Sequence, residues 1–158
     1  MRKVHLICLG MILSLVASAE PHTNFSGRWR MLKDQSDFGT FSRPDIVVRV
    51  IEQGDRTLNL HTVETTGGKT NVADISYFTD GTESTNTRSG RKATSKLFWD
   101  GAALMIRTET TDSKDQQIDI VEHWELSPDG KQLITTSEIS TPDGAAHLKM
   151  VCQKETGN

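Results

Sequence analysis

One carboxylate in this 158-residue chain falls where a carboxylate is costly. In residues 117–126, Ile118, Ile120, Glu122, Trp124 and Leu126 recur at every second position, so a β-strand places Glu122 on the same face as four apolar side chains. A buried carboxylate needs a cationic or hydrogen-bonding partner, or its pKa climbs until it is neutral. Arg49 and Arg107 are the candidate partners, and Glu122 so held would anchor the polar end of a ligand. The alternative is a local bulge that turns Glu122 to solvent.

Other reactive side chains lack the spacing that chemistry demands. His22, His61, His123 and His147 have no close metal-ligand spacing and no cysteine pair beside them, so no zinc site is expected. A single histidine could ligate haem inside a barrel, with His147 the nearest candidate, but a histidine without a motif is ordinarily a surface or half-buried residue. No cofactor is otherwise expected. Asp37-Phe38-Gly39 matches a kinase magnesium triplet, but without a Gly-rich phosphate loop or a catalytic loop. Serine, histidine and aspartate occur without a Gly-x-Ser-x-Gly elbow, and the chain is not expected to be an enzyme. Asn24-Phe25-Ser26 fits a glycosylation sequon, which has no meaning in a bacterial source.

The amino terminus reads as a signal peptide over residues 1–19. Arg2 and Lys3 precede an apolar run from Leu6 to Val16, and Ala17, Ser18 and Ala19 supply the small residues for cleavage before Glu20. That run is far short of the ~20 residues that span a bilayer, so no membrane insertion is expected and the protein should be secreted or periplasmic. Residues 20–158 then form a single domain. Without Arg2 and Lys3, 16 basic residues face 21 acidic ones, a net charge of −5, and no basic cluster occurs; nucleic acid is excluded as a partner. Cys8 lies in the signal, so Cys152 has no partner within the remaining chain; it is either a buried inert thiol or an intermolecular bridge.

The elements that must position these residues are short strands. Gln53-Gly54-Asp55, Gly67-Gly68, Asp80-Gly81, Gly90, Asp100-Gly101, Pro128-Asp129-Gly130 and Pro142-Asp143-Gly144 punctuate segments rich in Val, Ile, Thr and aromatics with no helical period. Ten strands are predicted, over 27–33, 46–52, 57–65, 70–78, 83–88, 91–99, 103–110, 117–126, 132–140 and 146–153. Such short connections imply an all-β, up-and-down antiparallel β-barrel, in which closure removes the exposed edges.

Neighbouring strands of a meander run in opposite directions, so their ends can be compared. Odd strands begin apolar (Trp29, Leu58, Leu104, Leu133) and even strands end apolar (Tyr77, Trp99, Trp124). Trp29, Trp99 and Trp124 should therefore meet at one pole and plug it. Toward the opposite pole the inward faces carry the small hydroxyls Thr62, Ser95, Thr108, Thr135 and Ser137, and the loop 34–45 there carries Phe38 and Phe41, which either guard a cavity or pack beneath the loop. The second strand leaves its phase open, because Ile46, Val48 and Val50 compete with Val47, Arg49 and Ile51 for the inward face.

Gly27-Arg28-Trp29, within Asn24-Phe25-Ser26-Gly27-Arg28-Trp29-Arg30, resembles the Gly-x-Trp signature on the first strand of lipocalins and related calycin barrels. Residues 24–39, with the segments at 79–87, 99–104 and 123–131, are similar to small exported bacterial proteins described as lipocalin-like. The resemblance implies that the Trp closes one barrel end beneath a basic side chain from a late strand, with Lys149 and Lys154 as candidates. The chain departs from lipocalins in lacking their disulfide, later motifs and flanking helix.

Together these readings point to a monomeric carrier of a small hydrophobic or amphipathic molecule, bound through the pole bearing loops 34–45, 66–69, 88–91, 111–116 and 141–145. The sites would be Phe38, Phe41, Thr62, Ser95, Thr108, Glu122, Thr135 and Ser137. Two rivals stand beside it: an interaction module whose barrel is filled solid, and a barrel-pocket enzyme with an acid–base pair around Glu122.

Overall fold

The computed structural model describes residues 22–88 and 90–156; residues 1–19, where a signal peptide is expected, lie outside the described residues. It contains ten strands: β1 (Gly27–Met31), β2 (Ile46–Gln53), β3 (Thr57–Thr66), β4 (Lys69–Phe78), β5 (Ser84–Arg88), β6 (Arg91–Asp100), β7 (Ala103–Thr111), β8 (Gln117–Leu126), β9 (Gln132–Thr141) and β10 (Gly144–Glu155). They form one antiparallel sheet in the order β4-β3-β2-β1-β10-β9-β8-β7-β6-β5, so the first and last strands pair and the sheet curls into a nearly closed barrel. Closure is incomplete, in contrast to the fully edgeless barrel predicted. β5 has only five residues, and no ladder joins it to β4.

Register fixes every inward face. Trp29 stands opposite Arg49 on one side and Lys154 on the other. Arg49 pairs with Thr62 and Ile51 with Leu60, which settles β2: Val47, Arg49 and Ile51 point inward. Ile46, on the other face, is exposed. β1 also ends two residues earlier than expected. Its chain turns through a 3-10 segment, Lys33–Gln35, and returns to β10 by reciprocal backbone hydrogen bonds of 2.7 Å between Asp37 and Lys149.

One end of the barrel is sealed by packing. Phe25, just before β1, is fully buried between Trp99 and Trp124, with ring centroids 6.2 and 6.1 Å away, and its carbonyl accepts the Trp29 indole N–H at 2.9 Å. The three tryptophans therefore gather at one end around Phe25. His22 stacks on Trp99 at 4.2 Å, and Gln53 ties the segment down by accepting from the Phe25 amide and donating to the Thr23 carbonyl. Burying aromatics of this size supplies much of the hydrophobic driving force of so small a domain.

The residue covering Trp29 is Lys154, whose Nζ lies 5.1 Å from the ring centroid; Lys149 sits farther along β10, at the Asp37 bridge. Gly27 makes that cover fit. Its φ is +144°, and a Cβ there would lie 2.7 Å from Lys154 Cε. Arg28 and Arg30 both bind Glu155 on the outer face, at 2.6 Å each, holding the Glu155 carboxyl below its usual range.

Candidate functional site

Beyond the indole layer the lumen is not filled. Two adjoining cavities, of about 400 and 170 Å³, share the lining residues Arg49, Thr62, Glu64, Arg88 and Glu122. Strand alternation brings these together from β2, β3, β5 and β8. The larger cavity extends to Leu60, Ile75 and Tyr77 along β3 and β4; the smaller extends beneath Phe38 to Ile120, Ile139, Leu148 and Met150. The result is one chamber with a charged centre and an apolar flank.

The charged centre is short of partners. Arg49 reaches Thr135 Oγ1 through Nη1 at 3.5 Å and stacks on Trp124 at 5.6 Å, but its buried Nε has no partner. Arg88 Nη1 is likewise buried and unpartnered, and no ion pair within 4.0 Å joins either arginine to Glu64 or Glu122 among the described residues. A buried donor left unsatisfied costs ~1–3 kcal/mol, so these N–H groups favour any acceptor that enters. Tyr77 is only 2% exposed. Burial pushes its phenol well above the usual range; the negative charge of Glu122 adds to this, while Arg88 and Arg49 oppose it. The four groups thus share one electrostatic neighbourhood.

The sequence-derived candidates divide accordingly. Thr62, Glu122, Thr135, Ser137 and Phe38 line the chamber, with Glu122 inward and 6% exposed. Ser95 and Thr108 also point inward, but they are buried against one another by a 2.8 Å hydrogen bond and line neither cavity. Phe41 stays on the surface, 47% exposed, and takes no part in the lining.

Arg107 is not a partner for Glu122. It projects outward from β7 and lies 5.9 Å from the Phe98 ring, because alternation places it one residue out of phase with Ile106 and Thr108. His61, His123 and His147 also alternate outward, so His147 points away from any group held in the lumen. Cys152 is fully buried beside Leu133, and burial raises its thiol pKa against the opposing charge of Arg49.

The strand pattern missed Glu64 and, for a clearer reason, Arg88. It terminates Ser84-Thr85-Asn86-Thr87-Arg88, a strand with no apolar residue to set a phase. The available signal was register: Ser84 pairs with inward Ser95, which carries Asn86 and Arg88 to the same side.

No family model matches the chain, and no curated protein sequence does. Solved structures do. Secretory abundant heat soluble protein 4 from Ramazzottius varieornatus superposes with a TM-score of 0.58 at 14% identity, over 88% of this chain and 100% of that one. The zebrafish ileal bile acid-binding protein in complex with cholic acid gives 0.58 at 19% identity, over 83% and 98%. The Schistosoma mansoni fatty acid binding protein in complex with arachidonic acid gives 0.51 at 14% identity, over 84% and 96%. With these likenesses, a ten-strand antiparallel meander and an end sealed by indoles, the chain has the calycin-type β-barrel fold.

Proposed function

We propose that the chain binds one small amphipathic molecule inside the barrel, its anionic head toward Arg49 and Arg88 and its apolar body along Ile120, Ile139, Leu148 and Met150. The observation that carries this reading is the pair of buried guanidinium N–H groups without partners, on residues lining an unfilled chamber. An anion there would form charge-assisted hydrogen bonds in a shielded setting, where they are stronger than in water. The cavity volume falls within the ~300–1,000 Å³ typical of ligand pockets, which weighs against a barrel filled solid. The ligands in two of the similar structures, cholic acid and arachidonic acid, are carboxylic acids, which supports the same class here.

Calorimetric titration with oleate and oleyl alcohol tests the reading. Oleate is expected to bind at least ~10-fold more tightly, since hydrogen bonds to charged groups contribute ~1.5–3 kcal/mol. Equal affinity, or no binding of either, would contradict it. The amino-terminal segment supports export to a secreted or periplasmic location, which amino-terminal sequencing of protein from its source tests: the expected first residue is Glu20.

A further inference from the structure

The barrel wall has one seam. β4 and β5 are neighbours in the chain and around the barrel, yet side chains rather than a ladder hold them together. Ser84 Oγ accepts from the Phe78 amide at 2.8 Å. Asn86 Oδ1 accepts from the Ser76 amide at 3.0 Å, while Asn86 Nδ2 donates to the Ser76 carbonyl at 2.9 Å. A single side-chain amide thus supplies the donor and the acceptor that a partner strand would have given.

The tethers stop there. Antiparallel alternation points the peptide groups of Asp74 and Val72 the same way as those of Ser76 and Phe78, but among the described residues no hydrogen bond crosses the seam from either. Val72, beyond the last tether, is 59% exposed on the outer face, between Asn71 and Ala73, which line the cavity together with Arg49, Arg88 and Glu122. At the pole, meanwhile, Phe38 lies over the lumen.

We propose that the ligand enters laterally, through the β4–β5 seam, with Asn86 as the latch that sets how fast the seam parts. This rests on the lumen-binding reading above and adds a route to it. Among the described residues, parting the seam breaks three side-chain hydrogen bonds rather than a backbone ladder. Val72 offers apolar surface at the threshold, and Arg88, on the strand that moves, waits immediately inside. The latch re-forms whether or not the chamber is occupied, so it governs rates rather than affinity.

Stopped-flow fluorescence with cis-parinaric acid tests the route in a Cys8→Ser background, since Cys152 is fully buried. Val72→Cys and Ser42→Cys, the latter in the exposed loop at the pole, are each labelled with a bulky maleimide. The label at residue 72 is expected to slow association at least tenfold and the label at residue 42 by less than twofold. Asn86→Ala is expected to speed association and dissociation alike, several-fold, with Kd within a factor of two. Slowing by the label at residue 42 but not at residue 72, or unchanged rates in Asn86→Ala, would overturn the lateral route and leave the chamber standing. Absence of equilibrium binding to the unlabelled protein would overturn the chamber and the route together.

Discussion

Trp29 and Arg49 face one another across the β1–β2 ladder and mark where two differently built halves meet. On the Trp29 side, bulky rings fill the barrel and the indole N–H is satisfied by Phe25. On the Arg49 side, the wall is lined by hydroxyls and charges, space is left open, and donors lack partners. Trp124 lies at the boundary, packed on Phe25 below and under the Arg49 guanidinium above, with its own indole N–H unpartnered. The contrast separates two tasks within one sheet. The filled half supplies the apolar burial that holds the fold, whereas the open half forgoes that burial and leaves buried donors without a protein partner.

Substitutions should respect this division. Trp29→Ala is expected to cost ~3–5 kcal/mol of stability by denaturant unfolding, because it opens a large void among rings that cannot collapse into it. A loss below ~1 kcal/mol would mean that the indole end is not the structural half. Arg49→Met should do the reverse. It keeps an unbranched stem as far as the Nε position but removes the guanidinium and its charge, so oleate affinity should fall ~10–100-fold while stability holds or rises with the loss of an unsatisfied buried donor. Unchanged oleate affinity in both Arg49→Met and Arg88→Met would remove the case for an anionic head.

Gly27→Ala probes the boundary more gently. The positive φ and the clash with Lys154 Cε should cost ~1–3 kcal/mol and displace the ammonium from Trp29, changing indole fluorescence in the same sample. The smallest effect belongs to the exposed turns. Asp80 is held at about 2 by hydrogen bonds from Thr82 and Arg56, and Asp45, Asp112 and Asp129 are also lowered by hydrogen bonds. These folded-state pKa values lie below the unfolded ones, so their contribution is complete above the ordinary carboxylate range and is lost as pH falls through the folded values. The midpoint of thermal unfolding should therefore be insensitive to these groups above about pH 5 and decline between about pH 4 and 2. Asp80→Asn should flatten part of that decline.

Much of this division was legible in the chain. Strict alternation in β8, with the Pro128-Asp129-Gly130 turn after it, gave the strand and the inward phase of Glu122, and comparing strand ends placed the three tryptophans together. Phe25 at their centre escaped notice, although Phe25, Gly27, Trp29 and Met31 continue one inward phase. β2 was ambiguous because valine and isoleucine occupy both faces; only pairing with β3 decides it. The β4–β5 seam was hidden for a different reason. Closure depends on how a five-residue strand meets its neighbour in space, and Ser84-Thr85-Asn86-Thr87-Arg88 reads equally well as a paired edge. The signal-peptide reading concerns residues outside those the structure describes.

In the proposed binding mode, the unpartnered guanidiniums of the chamber receive the head of an amphipathic anion. A crystal structure of the protein grown with oleate tests this most directly. The carboxylate is expected inside the barrel, within hydrogen-bonding distance of Arg49 Nε or Arg88 Nη1, and the chain against Ile120, Ile139, Leu148 and Met150. An empty chamber, with oleate only on the outer face of the sheet, would contradict it.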